Sequence, residues 1–188
     1  MCGLFGFSGP GRGNVSLITE LALLAGRRGP DAWGVWSDGT TIARMGRVTG
    51  EALRGLAPAH TLLGHARLAT ALGTKRVDCC QPIAVGDFVV AHNGVVPNAQ
   101  ALADEFGFRL GTGVDSETIA HLLNRHDAGL AGVMALIDLG PHAVVALNRR
   151  TGTVEFQAGG LPLWTREQPE GTYWCSVRPG VGWRPAHA

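Results

Sequence analysis

Excess charge of either sign is missing from this sequence. Sixteen lysine and arginine side chains face fifteen aspartate and glutamate side chains, which gives a formal net charge of +1 at pH 7. Proteins that bind nucleic acid or anionic membranes draw much of their affinity from a strongly positive surface. The sequence therefore predicts neither a nucleic-acid partner nor a membrane partner.

Long apolar runs are also missing. A helix that crosses a bilayer needs about 18 or more consecutive apolar residues, and no stretch of the sequence approaches that length. The N-terminus has no basic segment followed by an apolar core, so it does not resemble a secretory signal. We therefore expect a cytoplasmic protein without membrane spans.

Cysteines are few, and they form neither a metal pattern nor a disulfide pattern. The sequence contains four of them, Cys2, Cys79, Cys80 and Cys175. No C-x-x-C pair is present, so we expect no zinc site, and the spacing gives no disulfide framework. A reducing cytoplasm would keep the thiols free. We interpret Cys79 and Cys80 as ordinary loop or core residues, and we expect neither a metal nor a cofactor.

The composition is that of a globular, loop-rich domain. Of 188 residues, 45% are hydrophobic and 16% are charged, with 28 glycines and 10 prolines. This length fits one domain with its own core. Strand-like patterns at both ends of the chain enclose a more helical middle. We therefore predict one α+β domain over residues 2–177, followed by a C-terminal tail over residues 178–188.

The first residues of the chain have the composition of a reactive N-terminus. Cys2 becomes the terminal residue if Met1 is removed, and its small side chain suits that removal. One residue would then carry both a thiol and a free α-amine, whose ordinary pKa values are about 8.5 and about 7.7–8.0. The amine is partly unprotonated at neutral pH, so it can accept the proton of the thiol. The alternative is that Cys2 is simply a small residue at the start of a buried strand.

Several short motifs along the chain favour the first interpretation. In chain order they are Met1-Cys2-Gly3-Leu4-Phe5-Gly6, Arg28-Gly29-Pro30-Asp31-x-x-Gly34, Gly64-His65-x-Arg67-x-Ala69-Thr70, Gln81-Pro82, His92-Asn93-Gly94 and Asp115-Ser116-Glu117. Each motif is weak alone, but together their order and spacing resemble the class II glutamine amidotransferases. These are the glutaminase domains of the N-terminal-nucleophile hydrolases. The resemblance runs from Cys2 to about Val177.

The resemblance implies a fold and a reaction. The fold is a four-layer αββα sandwich, in which two mostly antiparallel sheets face each other between helical layers. The reaction is the hydrolysis of glutamine, in which Cys2 attacks the side-chain amide, a γ-glutamyl thioester forms and ammonia leaves. The side-chain NH₂ of Asn93 and the backbone N–H of Gly94 would form the oxyanion hole, which stabilises the tetrahedral intermediate.

The same resemblance assigns residues that hold the substrate. Arg67 would bind the α-carboxylate of glutamine through a charge-assisted, bidentate contact, and Asp115 would bind its α-ammonium. Thr70 would complete this clamp. The loop over residues 69–77, which follows Arg67, would close over bound glutamine.

Further residues are predicted to support the site. Arg28 and Asp31 would position the N-terminus, and Leu68 stands where many relatives have tryptophan. Two histidines in the motifs, His65 and His92, are interpreted as structural residues whose hydrogen bonds are satisfied. No histidine is needed as a base, because the α-amine of Cys2 takes that role.

Three functions remain open at this point. The leading one is a glutaminase subunit that passes ammonia to a separate synthase, since the sequence has no P-loop for an ATP-driven amination of its own and leaves no room for a synthase site. The second is a standalone hydrolase of another γ-glutamyl amide. The third is a non-catalytic regulatory subunit with the same fold.

Overall fold

Two antiparallel sheets lie face to face at the centre of the protein. A computed structural model describes residues 1–69, 76–138 and 140–186. The strands are β1 (Gly3–Ser8), β2 (Ala32–Ser37), β3 (Thr40–Met45), β4 (Thr61–Arg67), β5 (Ile83–Val85), β6 (Phe88–Asn93), β7 (His142–Asn148), β8 (Val154–Gly159), β9 (Trp164–Gln168), β10 (Gly171–Cys175) and β11 (Arg184–Pro185). The helices are α1 (Val15–Gly26), α2 (Ala99–Glu105), α3 (Glu117–Leu123) and α4 (Gly129–Met134), and a 3₁₀ turn covers Val77–Cys79. The larger sheet has the strand order β11-β9-β10-β1-β4-β2-β3, and the smaller sheet has the order β5-β6-β7-β8.

Three buried apolar clusters give the order of the layers. The first joins α1 to the outer face of the larger sheet, where Ile18 and Leu21 pack with Phe5. The second fills the space between the sheets and includes Leu63 and Val89. The third joins the outer face of the smaller sheet to α2, α3 and α4. The helix–sheet–sheet–helix order confirms the predicted four-layer αββα sandwich.

β1 shows how the sequence builds these layers. Successive side chains of a strand point to opposite faces. Phe5 and Phe7 accordingly pack in the cluster with α1, whereas Leu4 packs in the cluster between the sheets. β1 also pairs on both edges, with β4 and with β10. Both faces and both edges are therefore covered, which explains why this stretch contains only apolar and small residues.

Helix α1 fixes the start of β1. Asn14 caps the helix, because its side chain accepts a hydrogen bond of 3.1 Å from the Leu17 N–H. At the other end of α1, the Ala25 backbone lies so close to Gly3 that a Cβ on Gly3 would overlap it. Only glycine allows this approach, and it places Cys2 directly beside the end of the helix.

The strand register gathers the predicted site residues at one edge of the sandwich. In the larger sheet, Gly3 pairs with Ala66, and Ala32 pairs with Arg67. In the smaller sheet, β6 ends at Asn93. The starts of β1 and β2 thus lie beside the end of β4, and across the sheets they meet the end of β6.

The structure differs from the sequence prediction at some element ends. α3 begins at Glu117, so Asp115 of the Asp115-Ser116-Glu117 motif lies in the preceding turn and not in the helix. A tail was expected from residue 178, yet Arg184–Pro185 pairs with β9 and Trp183 is buried in the cluster with α1. Two residues are enough for such pairing, and no sequence period reveals so short a strand.

No helix in the described parts of the chain has the length and apolar character needed to cross a membrane.

Candidate active site

Cys2 is hydrogen-bonded to both sheets. Its backbone N–H donates to Asn93 Oδ1 at 3.1 Å, and its Sγ lies 3.8 Å from the carbonyl oxygen of Leu68. Asn93 ends β6 in the smaller sheet, whereas Leu68 follows β4 in the larger sheet. The predicted nucleophile, a predicted oxyanion residue and a predicted supporting residue therefore meet, although they come from separate stretches of the sequence.

The thiol of Cys2 is partly buried. Burial raises its pKa, while the Leu68 backbone and the positive charges of the N-terminus, Arg67 and Arg28 act in the opposite direction. A thiol with a raised pKa is protonated at neutral pH and is a weak nucleophile. A base close to Cys2 is therefore needed for covalent chemistry.

The side chain of Asn93 has a free donor. Its Oδ1 accepts the Cys2 N–H, so its Nδ2 points elsewhere, and this buried NH₂ has no hydrogen-bond partner among the described residues. Leaving a buried polar group unpaired typically costs about 1–3 kcal/mol. Such a donor is suited to an acceptor that arrives with a substrate.

Gly94 has a conformation that favours glycine. Its φ is +153°, and a Cβ there would overlap the ring of His92 and lie 3.2 Å from the Cβ of His142. Both the backbone conformation and the space taken by the two histidines therefore favour glycine at this position.

Asp115 is held beside the Asn93-Gly94 segment. Its Oδ2 accepts the Val96 N–H at 2.7 Å, and its Oδ1 accepts the Ser116 N–H at 2.8 Å. A carboxylate has about four acceptor positions, so an ammonium group can still bind. Asp115 is therefore both an anchor for the backbone and a candidate anchor for a substrate.

Arg67 and Asp31 lie at neighbouring strand ends. The Asp31 N–H donates to the Arg67 carbonyl oxygen at 3.0 Å, and Asp31 Oδ2 accepts the Ala69 N–H at 2.8 Å. The Asp31 carboxylate thus fixes the backbone just after β4. Thr70, which the sequence predicts as a substrate residue, lies outside the described residues, as do residues 71–75 of the predicted closing loop.

Arg28 lies next to the N-terminus. Its Nη1 donates to the Ser176 carbonyl oxygen at 2.9 Å, and its Nη2 lies 3.3 Å from Met1 Sδ. Burial lowers the pKa of Arg28. Ser176 also accepts the Leu4 N–H through its Oγ at 2.9 Å. Sequence reasoning missed Ser176, because an isolated serine after a strand gives no signal of a partner at the opposite end of the chain.

The two motif histidines are buried and neutral. Burial, together with the charge of Arg67, lowers the pKa of His65 to about 3, and burial lowers the pKa of His92 to about 4. His92 Nδ1 lies 2.9 Å from Ser116 Oγ. The other three ring nitrogens have no well-formed hydrogen bond to a described residue. Both rings are buried, but the prediction that their hydrogen bonds are satisfied is wrong.

The arrangement favours acyl-transfer chemistry without a metal-binding cluster. Within the ranges that the structure describes, no group of three or more histidine, cysteine, aspartate or glutamate side chains has the geometry of a metal site. Cys79, Cys80 and Cys175 are free thiols there. The site instead offers a thiol, an unpaired amide donor and two oppositely charged side chains.

Comparison with solved structures identifies the fold. The glutamine phosphoribosylpyrophosphate amidotransferase from B. subtilis, complexed with ADP and GMP, matches with a TM-score of 0.68 and 22% identity over 93% of this chain. A second match, described as the allosteric regulatory enzyme of purine biosynthesis, has a TM-score of 0.69 and 21% identity over 93% of this chain. The chain has the N-terminal-nucleophile hydrolase fold. It spans 42% of the length of each matched chain.

Sequence comparison gives no further relative. No protein-family model matches the chain, and no curated protein matches it. The N-terminal-nucleophile hydrolase fold is thus recognised through the structure and through the short motifs.

The buried histidines predict how stability depends on pH. In the unfolded chain, His65 and His92 protonate near 6.5, whereas in the folded protein they stay neutral down to about 3 and about 4. The unfolded state therefore binds more protons below pH ~6.5. This contribution to stability is complete above that pH and is lost as the pH falls towards 4. The expected slope is at most about 1.4 kcal/mol per pH unit for each histidine.

Urea unfolding of the wild type and of His65→Leu across this pH range measures the effect. The variant should show a weaker fall in the free energy of unfolding on acidification. His60→Leu, at an exposed histidine, controls for the loss of one imidazole. Equal slopes in wild type and His65→Leu would contradict the interpretation.

Proposed function

We propose that this chain is a glutaminase that hydrolyses glutamine to glutamate and ammonia through a thioester on Cys2. The observation that carries the proposal is the double role of Asn93. Its Oδ1 holds the nitrogen of Cys2, and its unpaired Nδ2 is a donor beside the same residue. A nucleophile and an oxyanion donor are thereby held by one side chain.

The proposed reaction begins with the removal of Met1. While Met1 is attached, the Cys2 nitrogen is a peptide N–H and cannot accept a proton. After removal it is an amine, and Asn93 Oδ1 can accept one of its hydrogens, which leaves the nitrogen lone pair to take the thiol proton. This removes the obstacle set by the raised pKa of the buried thiol.

The thiolate of Cys2 then attacks the side-chain amide carbon of glutamine. The carbonyl oxygen becomes an oxyanion, which accepts hydrogen bonds from Asn93 Nδ2 and the Gly94 N–H. The C–N bond breaks as the amine returns its proton to the leaving nitrogen, so ammonia departs and a γ-glutamyl thioester remains. A water molecule, deprotonated by the same amine, attacks the thioester and yields glutamate and the thiol.

Arg67 and Asp115 supply charges for the two ends of glutamine. In this proposal Arg67 binds the α-carboxylate and Asp115 binds the α-ammonium, with Thr70 completing the clamp. The positions of Arg67 at the end of β4 and of Asp115 beside the Asn93-Gly94 segment support this assignment. In this proposal Arg28, Asp31 and Leu68 support the site through their contacts with Ser176, Ala69 and Cys2.

We further propose that the ammonia acceptor is a separate synthase subunit. Ammonia released into water is largely protonated and lost as a nucleophile, so a glutaminase of this kind needs an acceptor close to its site. The sequence contains no P-loop that would let the chain activate an acceptor with ATP.

The identity of the nucleophile is the first test. Intact-mass analysis of active protein should show that Met1 is absent, because only a free amine can act as the base. Cys2→Ala should abolish glutamine hydrolysis and leave folding unchanged. A glutamine-like electrophile should label Cys2, and Cys80→Ala should be labelled like the wild type. Activity with Met1 retained, or primary labelling of Cys79, would contradict the mechanism.

The role of Arg67 is the second test. Arg67→Ala should raise KM for glutamine by the equivalent of about 1.5–3 kcal/mol, because a charge-assisted contact to the carboxylate is lost. Arg67→Lys should recover only part of this, since an ammonium group cannot make two parallel hydrogen bonds. Arg44→Ala, at an exposed arginine of β3, is the matched control. An unchanged KM in Arg67→Ala would mean that the clamp is misassigned.

Dependence on a partner is the third test. We expect the isolated chain to hydrolyse glutamine slowly and to accelerate when a synthase subunit binds, because the partner would complete the site and shield the ammonia from water. Steady-state rates with and without that subunit measure this. Full turnover by the isolated chain, unchanged by the synthase, would instead favour a standalone hydrolase. Absence of turnover in both conditions would favour a regulatory subunit.

A further inference from the structure

Gln81 lies two residues before β5, where a longer β5 would pair with the end of β6. The pairing of β5 with β6 joins Ile83 to Val90, so the same register continued brings Gln81 opposite His92. There the buried side-chain amide of Gln81, rather than its backbone, makes the contacts. Its Oε1 accepts the His92 N–H at 2.6 Å, and its Nε2 donates to the His92 carbonyl oxygen at 3.1 Å. Both backbone groups of the residue before Asn93 are thereby fixed.

The same amide reaches the segment that carries Asp115. Gln81 Nε2 also lies 3.3 Å from Ser116 Oγ, which in turn lies 2.9 Å from His92 Nδ1. The Ser116 N–H donates to Asp115 Oδ1 at 2.8 Å. One buried network therefore links the proposed ammonium anchor to the backbone that precedes the oxyanion donors.

The backbone of Gln81 contacts the other sheet. A Cβ on Gly34 of β2 would overlap the Gln81 carbonyl oxygen, so the two backbones are in direct contact. Gln81 thus spans the distance between the larger sheet, which carries Cys2, and the end of β6, which carries Asn93 and Gly94.

We propose that Gln81 is a positioning residue, which sets the oxyanion donors Asn93 and Gly94 relative to Cys2 and Asp115. The proposal rests on the proposed glutaminase function. Donors of an oxyanion hole act only when they point at the position of the developing charge. Displacement of a reacting group by about 1 Å can reduce turnover about 10²-fold.

The orientation of the Gln81 amide makes a sharp test possible. Both Nε2 hydrogens have acceptors, and Oε1 has a donor, so a flipped amide would place Nε2 against the His92 N–H. Gln81→Met keeps the length of the side chain but removes all of these bonds. Gln81→Glu keeps the acceptor for the His92 N–H and places a second oxygen against the His92 carbonyl oxygen, where only a protonated carboxyl group can bind.

The surroundings of position 81 decide when that carboxyl group is protonated. Burial and the nearby Asp115 carboxylate favour the protonated form, whereas the charge of Arg67 at the end of β4 opposes it. His65 and His92 are neutral because burial lowers the pKa of both, so they add no positive charge. The Gln81→Glu variant should therefore recover turnover relative to the wild type as the pH falls.

The experiment measures kcat and KM for glutamine, and amide hydrogen exchange at residues 92–94, in processed protein that begins at Cys2. Gln81→Met should lower kcat by roughly 10²-fold with little change in KM, and it should accelerate exchange at His92 and Gly94. Gln81→Glu should show a ratio of its kcat to the wild-type kcat that rises on acidification. Gln100→Met, at an exposed glutamine of α2, should match the wild type.

Each outcome bears on one proposal. A wild-type kcat in Gln81→Met, or a kcat ratio for Gln81→Glu that does not change with pH, would overturn the positioning role. If the wild type itself does not hydrolyse glutamine, the proposed function fails, and exchange at residues 92–94 alone decides whether Gln81 positions the segment. If Gln81→Met does not fold, the pH series of Gln81→Glu decides.

Discussion

The hydrogen bond from the Cys2 N–H to Asn93 Oδ1 is the contact on which the site depends. It joins the start of a strand in one sheet to the end of a strand in the other, across 91 positions of sequence. Because a side-chain amide has one acceptor end and one donor end, this bond also decides where the Asn93 NH₂ points. This one hydrogen bond therefore constrains both the packing of the two sheets and the direction of the Asn93 NH₂ group.

Several polar groups near the site are left unsatisfied. Asn93 Nδ2, His92 Nε2 and His142 Nε2 are buried without a partner among the described residues. Each such group lowers the stability of the folded protein, so a sequence selected for stability alone would replace them. Under the proposed function, the unpaired donor of Asn93 has a role in the reaction that would account for its cost to stability. This edge of the sandwich requires glycine at position 94, where the His92 ring and the Cβ of His142 leave no room for a side chain.

The sequence predicts which residues meet at the candidate site better than it predicts the contacts that hold them there. Cys2, Asn93 and Arg67 are found from short motifs, since each motif places a reactive group at a strand end. The central strands are buried on both faces, so they appear in the sequence as short apolar runs rather than as a strict alternation. The roles of Gln81 and Ser176 are not predictable in this way. Their partners are distant in sequence, and a hydrogen bond between distant residues leaves no periodic signal.

The position of β1 has a consequence for the order in which the protein is made. β1 is the first strand to leave the ribosome, yet one of its two neighbours, β10, ends at Cys175. Ser176, which binds the Leu4 N–H across 172 positions, is made later still. The central strand of the larger sheet thus keeps one edge unpaired until β10 has been made. Contacts of such long range slow folding and leave an unpaired strand able to associate with other chains. We therefore expect a nascent chain to be exposed to wrong strand pairing along β1 until the hairpin of β9 and β10 has emerged.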